Sequence, residues 1–144
     1  MQIEEVAEKT YRLETPLPGT GLIFSVYLIK ADSGILIEPG PSSATPLIQK
    51  GMEQVGMKEL SWIIPTHIHM DHGGGAGTLA KMFPQALVIP HPSSARHIVN
   101  PARLIQSTRI TYGEDFEAIY GPIIPVPESR VKVSADGEII SLGG

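Results

Sequence analysis

The pattern of apolar and polar positions predicts short strands and one helix in the first part of the chain. Apolar runs or alternations occupy residues 3–7, 9–14, 22–30 and 35–37, and the first two could pair. The last two flank Ala-Asp-Ser-Gly at 31–34, a sequence that suits a hairpin turn. A helix is expected from Pro46 to about Val55, because proline fits a first helical turn and Gly56 fits the end. Strand and helix signals therefore alternate early in the chain.

The same alternation continues through the middle of the chain. Residues 60–65 and 87–90 are short apolar runs of strand length, and residues 78–82 between them predict a short helix. The pattern from 92 to 120 is mainly helical, with breaks at Asn100-Pro101 and Tyr112-Gly113. A second hairpin is expected where 130–134 and 138–142 flank Ala135-Asp136-Gly137. Strands that alternate with helices favour an α/β domain over an all-β one.

Composition narrows the classes of function. A chain of 144 residues with 42% hydrophobic and 18% charged residues suits a single folded domain over 1–144. A formal charge of −4, without runs of Lys or Arg, argues against a nucleic-acid partner. The N-terminus lacks the pattern of a signal peptide and no apolar run is long enough to cross a bilayer, so a cytoplasmic protein without membrane contact is expected. The absence of cysteine leaves only nitrogen and oxygen ligands for a metal.

Four side chains of the metal-ligating type, His67, His69, Asp71 and His72, follow the strand expected at 60–65. In an extended or looping segment, alternate side chains can project to one side, so His67 and His69 could bind one ion while Asp71 and His72 face a second. Two ions about 3.5–4 Å apart can polarise a substrate oxygen and activate a bridging water. Imidazole and carboxylate suit zinc, with iron and manganese as alternatives. The motif therefore predicts a dinuclear metal centre.

The nine residues Thr66–Gly74, T-H-x-H-x-D-H-G-G, resemble the signature of the metallo-β-lactamase superfamily. Residues 22–40, which end in Glu38-Pro39-Gly40, are similar to the family's segment that closes in Asp-x-Gly, and the resemblance covers essentially the whole chain. It implies a four-layer αββα sandwich of two similar halves, with two zinc ions in a groove between the sheets. It also implies that His67 and His69 bind the first ion, that Asp71 and His72 bind the second, and that Asp71 orients the nucleophilic water or hydroxide and handles protons.

The second half of the family pattern has no counterpart here. The resemblance implies a further His, a bridging Asp and a last His, yet no histidine follows His97, so the chain resembles a sandwich truncated after its first half. Such a chain is expected to bind metal weakly and to have weak or no activity alone. Because one sheet face would be exposed, it is also expected to self-associate through that face, to swap elements, or to be a proteolytic product. Glu38 stands where the family usually has Asp, which puts in question a hydrogen bond that family members make there.

Other polar residues are expected to have ordinary roles. His91 follows a strand end and could lie near the groove, whereas His97 is expected at the surface. Arg103 and Arg109 could meet an anionic substrate, although solvated helix positions are the simpler interpretation. The glycine run at 73–77 lacks the Lys-Ser/Thr of a phosphate loop and is expected to let the metal-binding segment turn tightly. Three aromatic residues at helical spacing are expected to pack on the core, with lining of the substrate entry as the alternative: Tyr112, Phe116 and Tyr120.

The function expected from the sequence is metal-dependent hydrolysis. A hydroxide held by the dinuclear centre would attack an ester, thioester, lactone, amide or phosphodiester in a small-molecule substrate, and the shared motif does not say which. One alternative is an iron-dependent oxidoreductase of the di-iron or sulfur dioxygenase type on the same fold, and another is a non-catalytic fragment. His69 argues against the di-iron reductases, which often have Glu at that position.

Overall fold

A computed structural model describes residues 2–141 and arranges them around one six-stranded sheet whose strands lie in chain order. Neighbouring strands pair antiparallel in the first half of the sheet and parallel in the second half. The strands are β1 (Ile3–Ala7), β2 (Thr10–Pro16), β3 (Ile23–Lys30), β4 (Gly34–Ile37), β5 (Trp62–Ile64) and β6 (Leu87–Val88).

Helices provide the crossovers that parallel pairing requires. One helix lies between β4 and β5, two lie between β5 and β6, and three follow β6 as a helical arm, residues 92–120. The helices are α1 (Thr45–Gln54), α2 (Met70–Gly73), α3 (Ala76–Met82), α4 (Pro92–Val99), α5 (Ala102–Tyr112) and α6 (Phe116–Tyr120), with 3-10 turns at Ser42–Ala44 and Glu128–Arg130.

The two faces of the sheet differ in how well they are covered. Side chains alternate along each strand, and the inner set packs against α1 and α3 in one core, where Leu28, Leu36 and Ile63 are fully buried. The outer face carries apolar side chains that are only partly buried: Tyr27, Ile29, Ile37, Trp62, Ile64 and Leu87. The mixed sheet with helices confirms the α/β prediction, and one sheet with one helical layer matches half of the expected four-layer sandwich.

Most predicted elements are confirmed within a few residues, including the hairpin between β3 and β4 and the breaks in the helical arm. The predicted second hairpin is wrong in the described part of the chain, where residues 130–134 and 138–141 form no ladder. Val131 instead makes a parallel bridge to Val88, and the Lys132 amide donates to the Val88 carbonyl over 2.9 Å. The open edge of β6 thus takes the hydrogen bonds that the hairpin would have used, and only a turn remains, in which Glu138 N–H donates to Ala135. Residue 142 lies outside the described residues.

The chain that leaves the sheet after β6 therefore returns to the same strand. Next to the bridge at Val131, the guanidinium of Arg130 donates hydrogen bonds to the carbonyl oxygens of Ala80, Phe83 and Ala86, at the end of α3 and in the turn before β6. Both ends of the segment that contains the helical arm are consequently fixed at one place on the sheet.

Within residues 2–141, no helix is long and apolar enough to cross a bilayer. The domain extent of 1–144, the cytoplasmic location and the self-association through the outer face stay predictions.

Candidate metal centre

The four predicted ligands lie in one loop at an edge of the sheet. This histidine loop, residues 66–75, starts two residues after β5, with His67 and His69 in irregular backbone and Asp71 and His72 on the single turn of α2. Glu38 follows β4 at the same edge, because β4 and β5 are parallel and their carboxyl ends lie together. The Glu38 amide donates to the carbonyl of Ile64 over 3.0 Å. Parallel pairing therefore brings a residue from 34 positions earlier beside His72.

Glycines allow the histidine loop to fold back on itself. A Cβ at Gly73 would lie 2.6 Å from the carbonyl oxygen of His67, and one at Gly75 would lie 2.9 Å from that of Pro39, both closer than side chains tolerate. The amides of His72 and Gly73 both donate to the His69 carbonyl, over 2.9 and 2.7 Å. The expectation that these glycines let the loop turn tightly is confirmed.

Glu38 orients the histidine loop through both of its carboxylate oxygens. Oε1 accepts a hydrogen bond from the Thr66 amide over 2.7 Å, and Oε2 accepts one from Nδ1 of His72 over 2.6 Å. The side chain is only 15% exposed, and the residue has a φ of +58°, a left-handed conformation that non-glycine residues rarely adopt. The longer acid therefore reaches its partners, and it leaves Nε2 as the His72 nitrogen for a metal.

The three histidine rings of the loop converge, with His67 in the middle. Its ring centroid lies 4.3 Å from that of His72 and 5.0 Å from that of His69. Nδ1 of His67 is hydrogen-bonded to the Thr66 hydroxyl at 3.0 Å. His67 and His72 thus share one arrangement, in which a neighbouring oxygen occupies Nδ1 and Nε2 is left for ligation.

The donor set fits a divalent transition metal. Ligand-type atoms of Glu38, His67 and His72 lie within 4.8 Å of one another. Because both Glu38 oxygens already accept hydrogen bonds, we assign Glu38 to positioning, and the nearest further carboxylate is that of Asp71, whose Oδ2 lies 3.5 Å from Nε2 of His72. Imidazoles with a carboxylate suit zinc, iron or manganese. His69 stands outside this cluster, and the pairing of His67 with His69 and of Asp71 with His72 stays a prediction.

An open cavity of about 230 Å³ adjoins His69. This motif cavity is lined by His69 and Met70 of the loop and by one side of α5, mainly with neutral hydroxyl and apolar groups. The α5 residues are Leu104, Ser107, Thr108, Thr111 and Tyr112.

The predicted aromatic stripe is confirmed at Phe116 and Tyr120 and wrong at Tyr112. Phe116 and Tyr120 are buried in α6, whereas Tyr112 is 50% exposed at the motif cavity, because Gly113, at a φ of +93°, ends α5 between them. The rings of Tyr112 and Tyr120 lie 5.4 Å apart. Burial raises the pKa of Tyr120 above its usual value, and Tyr112 and Asp71 raise it further, so this phenol stays protonated at neutral pH.

Ser42 is a positioning residue that the sequence did not indicate. Its buried hydroxyl lies 2.6 Å from the carbonyl oxygen of Pro122, 3.2 Å from that of Gly74 and 2.8 Å from the Thr78 hydroxyl. It connects the glycine turn to the segment that follows the helical arm. The only available signal was its place just after the Pro-Gly-Pro sequence that ends β4.

The other two histidines are not members of the cluster formed by Glu38, His67 and His72. His91 is exposed and caps α4, where Nδ1 accepts from the Ser93 amide over 3.3 Å, and its place near the groove stays a prediction. His97 is partly exposed and accepts a hydrogen bond from Arg96, in keeping with its expected surface position.

Comparisons with known proteins agree with this geometry. A family model described as the metallo-beta-lactamase superfamily matches residues 19–143. A probable metallo-hydrolase of Methanocaldococcus jannaschii is 30% identical over 132 residues, or 89% of this chain and 61% of that relative. The coenzyme F420H2 oxidase of Methanothermobacter marburgensis is 28% identical over 71 residues, or 46% of this chain and 18% of the relative.

The structural comparison extends over nearly the whole chain. MEM-A1, a subclass B3 metallo-β-lactamase isolated from a soil metagenome library, superposes with a TM-score of 0.71 and 25% identity, over 99% of this chain and 49% of that one. The chain thus spans 61% of the length of the archaeal relative and about half of the solved enzyme.

Proposed function

The chain belongs to the metallo-β-lactamase superfamily, and on that premise we propose that it carries the first half of a metal-dependent hydrolase site. The substrate classes are those with an electrophilic carbon or phosphorus: an ester, thioester, lactone, amide or phosphodiester. The observation that carries the proposal is the pair of oriented imidazoles: Nδ1 of His72 is hydrogen-bonded to Glu38 and Nδ1 of His67 to Thr66, so Nε2 is the ring nitrogen that each offers to a metal. Such support fixes ligand orientation before a metal arrives.

We propose His67, His69, Asp71 and His72 as the metal ligands and two zinc ions as the cofactor, with iron and manganese as alternatives. When bound, these ions polarise the scissile group and lower the pKa of a coordinated water toward about 7. The remaining ligands of the family pattern would come from residues that this chain does not contain, so the chain alone is proposed to bind metal weakly and to have little activity.

Asp71 is the proposed catalytic residue. Its carboxylate is 22% exposed at the metal side of His72, so it can accept and hold the proton that a water molecule loses as its oxygen adds to the substrate. That proton then passes to the leaving group as the scissile bond breaks. The motif cavity beside His69 would hold the rest of the substrate through its hydroxyl groups.

An iron-dependent oxidoreductase is the second candidate. The observation in its favour is the match to the coenzyme F420H2 oxidase, which covers 46% of this chain. His69 argues against it, since the di-iron reductases that resemble this motif often have Glu there.

Paired measurements of metal content and turnover test the proposal. Protein grown in defined medium with zinc, iron and manganese is assayed by mass spectrometry for metal and against a panel of esters, thioesters, lactones and phosphodiesters. In the full-length protein, the double variant His67→Ala/His69→Ala should lose both metal and turnover, while His91→Ala, a matched histidine outside the cluster, should keep them. Turnover that survives in the double variant contradicts the proposal, and iron retention without hydrolysis of any substrate favours the oxidoreductase.

A further inference from the structure

A second cavity opens on the helical arm where α4 meets α5. It measures about 530 Å³ and is lined by Arg96, His97, Asn100, Ala102 and Arg103, a group that we call the basic pocket. None of these lining residues is acidic. The pocket therefore concentrates positive charge in a chain whose formal charge is −4.

The two guanidiniums of the basic pocket are not neutralised within residues 2–141. Arg12 and Arg109 each pair with a glutamate, at 2.8 and 3.0 Å, whereas neither Arg96 nor Arg103 has a carboxylate within 4.0 Å. Among residues 2–141, the side chain of Arg96 makes one hydrogen bond, from Nε to Nε2 of His97 over 3.1 Å. That bond orients Arg96, and its two terminal nitrogens make no hydrogen bond among residues 2–141.

The donors of the basic pocket fit an anion with several oxygens. Guanidinium groups offer parallel N–H donors that match the geometry of phosphate and carboxylate. Asn100 uses its Oδ1 to accept from the Ala102 amide over 3.3 Å, which leaves its side-chain NH2 as a further donor. Phosphate and carboxylate groups share this chemistry.

Helix α5 connects the basic pocket to the proposed metal centre. Arg103 precedes Ser107, which lines the motif cavity, by one helical turn, so the two side chains lie on neighbouring positions of one helix surface. At 1.5 Å per residue, Arg103 and Ser107 are about 6 Å apart along the axis, and Arg103 and Tyr112 about 14 Å. These spans suit a small metabolite that reaches from one cavity to the other.

We propose that the substrate is anionic and that Arg96 and Arg103 bind its phosphate or carboxylate group while its scissile bond lies at the histidine loop. The second part of this proposal, the placement of the scissile bond at the histidine loop, rests on the proposed hydrolase function. Anion binding by the basic pocket is the first part and needs neither metal nor turnover.

Direct binding tests the first part. Inorganic phosphate is titrated into the protein and followed by calorimetry and by NMR of the arginine side chains. Arg96→Gln/Arg103→Gln should weaken phosphate binding about tenfold or more, because a hydrogen bond to a charged group contributes strongly to the free energy of binding. Arg109→Gln removes the same charge from α5 outside both cavities and should leave binding unchanged, as should His67→Ala/His69→Ala. Equal weakening by Arg109→Gln, or no saturable binding in the wild type, overturns the proposal.

Kinetics with matched substrates test the second part. A neutral nitrophenyl ester is compared with the same ester bearing a terminal carboxylate, in the metal-loaded protein. Arg103→Gln should raise KM about tenfold for the anionic ester alone, with kcat unchanged, and phosphate should compete with that ester. If phosphate binds but KM changes equally for both esters, the pocket binds a free anion and the substrate proposal is wrong. If phosphate binds normally while the full-length protein, loaded with metal, turns over neither ester nor any other substrate, the hydrolase proposal has failed independently of the pocket.

Discussion

The histidine loop has two sides that are supported very differently. On the side toward the sheet, His67 and His72 are hydrogen-bonded to Thr66 and Glu38, which are fixed by the ends of β5 and β4. On the side toward the helical arm, His69 is exposed, and its ring has no hydrogen-bond partner among residues 2–141. The ring orientations are thus fixed by hydrogen bonds on the sheet side, whereas the arm side opens to the motif cavity. Under the proposed function, metal binding would depend mainly on the sheet side and substrate choice on the arm side.

The largest expected effect comes from deleting a ligand on each side in turn. His72→Ala should lower metal affinity more than about a hundredfold, because it removes an imidazole that is oriented before binding. His69→Ala should lower it less, since an unsupported ring must be ordered when the metal binds. Calorimetric titration with zinc and manganese measures both, and equal losses would remove the distinction between the two sides.

A smaller effect is expected when only the support of His72 is changed. In Glu38→Gln the new amide would donate toward Nδ1 of His72 and favour the tautomer that has its proton on Nε2, so metal affinity should fall about 10–100-fold. NMR correlation spectra of the imidazole nitrogens report the tautomer directly. Glu14→Gln makes the same chemical change on β2 and should alter neither the metal affinity nor the tautomer of His72. Unchanged affinity in Glu38→Gln would show that His72 orientation does not depend on this carboxylate.

The smallest effects are expected on the arm side. Thr111→Val and Tyr112→Phe each remove one hydroxyl from the motif cavity, so KM for a polar substrate should rise about threefold to tenfold, as for one neutral hydrogen bond. Metal content should stay within about twofold of the wild type. A loss of metal in either variant would show that metal binding depends on the arm side of the loop as well, which contradicts the distinction between the two sides.

Local sequence patterns predicted the elements well, because apolar alternation, glycines and prolines act over a few residues. They failed at 130–141, where the edge of β6 competes for Val131 and Lys132. The same limit applies to the site. The candidate ligands fall within six residues and were visible in the sequence, whereas the reach of Glu38, 34 positions from His72, depends on parallel pairing of β4 and β5. The contacts of Ser42 arise from packing between distant segments, which no short pattern encodes. The basic pocket forms within residues 96–103, but the turn between α4 and α5 that brings its side chains together is a matter of geometry that the sequence does not give.

The return of the chain to Val88 has an evolutionary consequence. Because Val131 and Arg130 close the segment at the strand that it left, the helical arm is a unit with fixed ends. Each doubling of the length of a flexible loop adds only about 0.6 kcal/mol to its closure. Insertions, deletions or exchange of the arm by recombination can therefore vary the walls of both cavities while the histidine loop is inherited intact. Changes in the arm can therefore alter specificity while the proposed metal ligands stay the same.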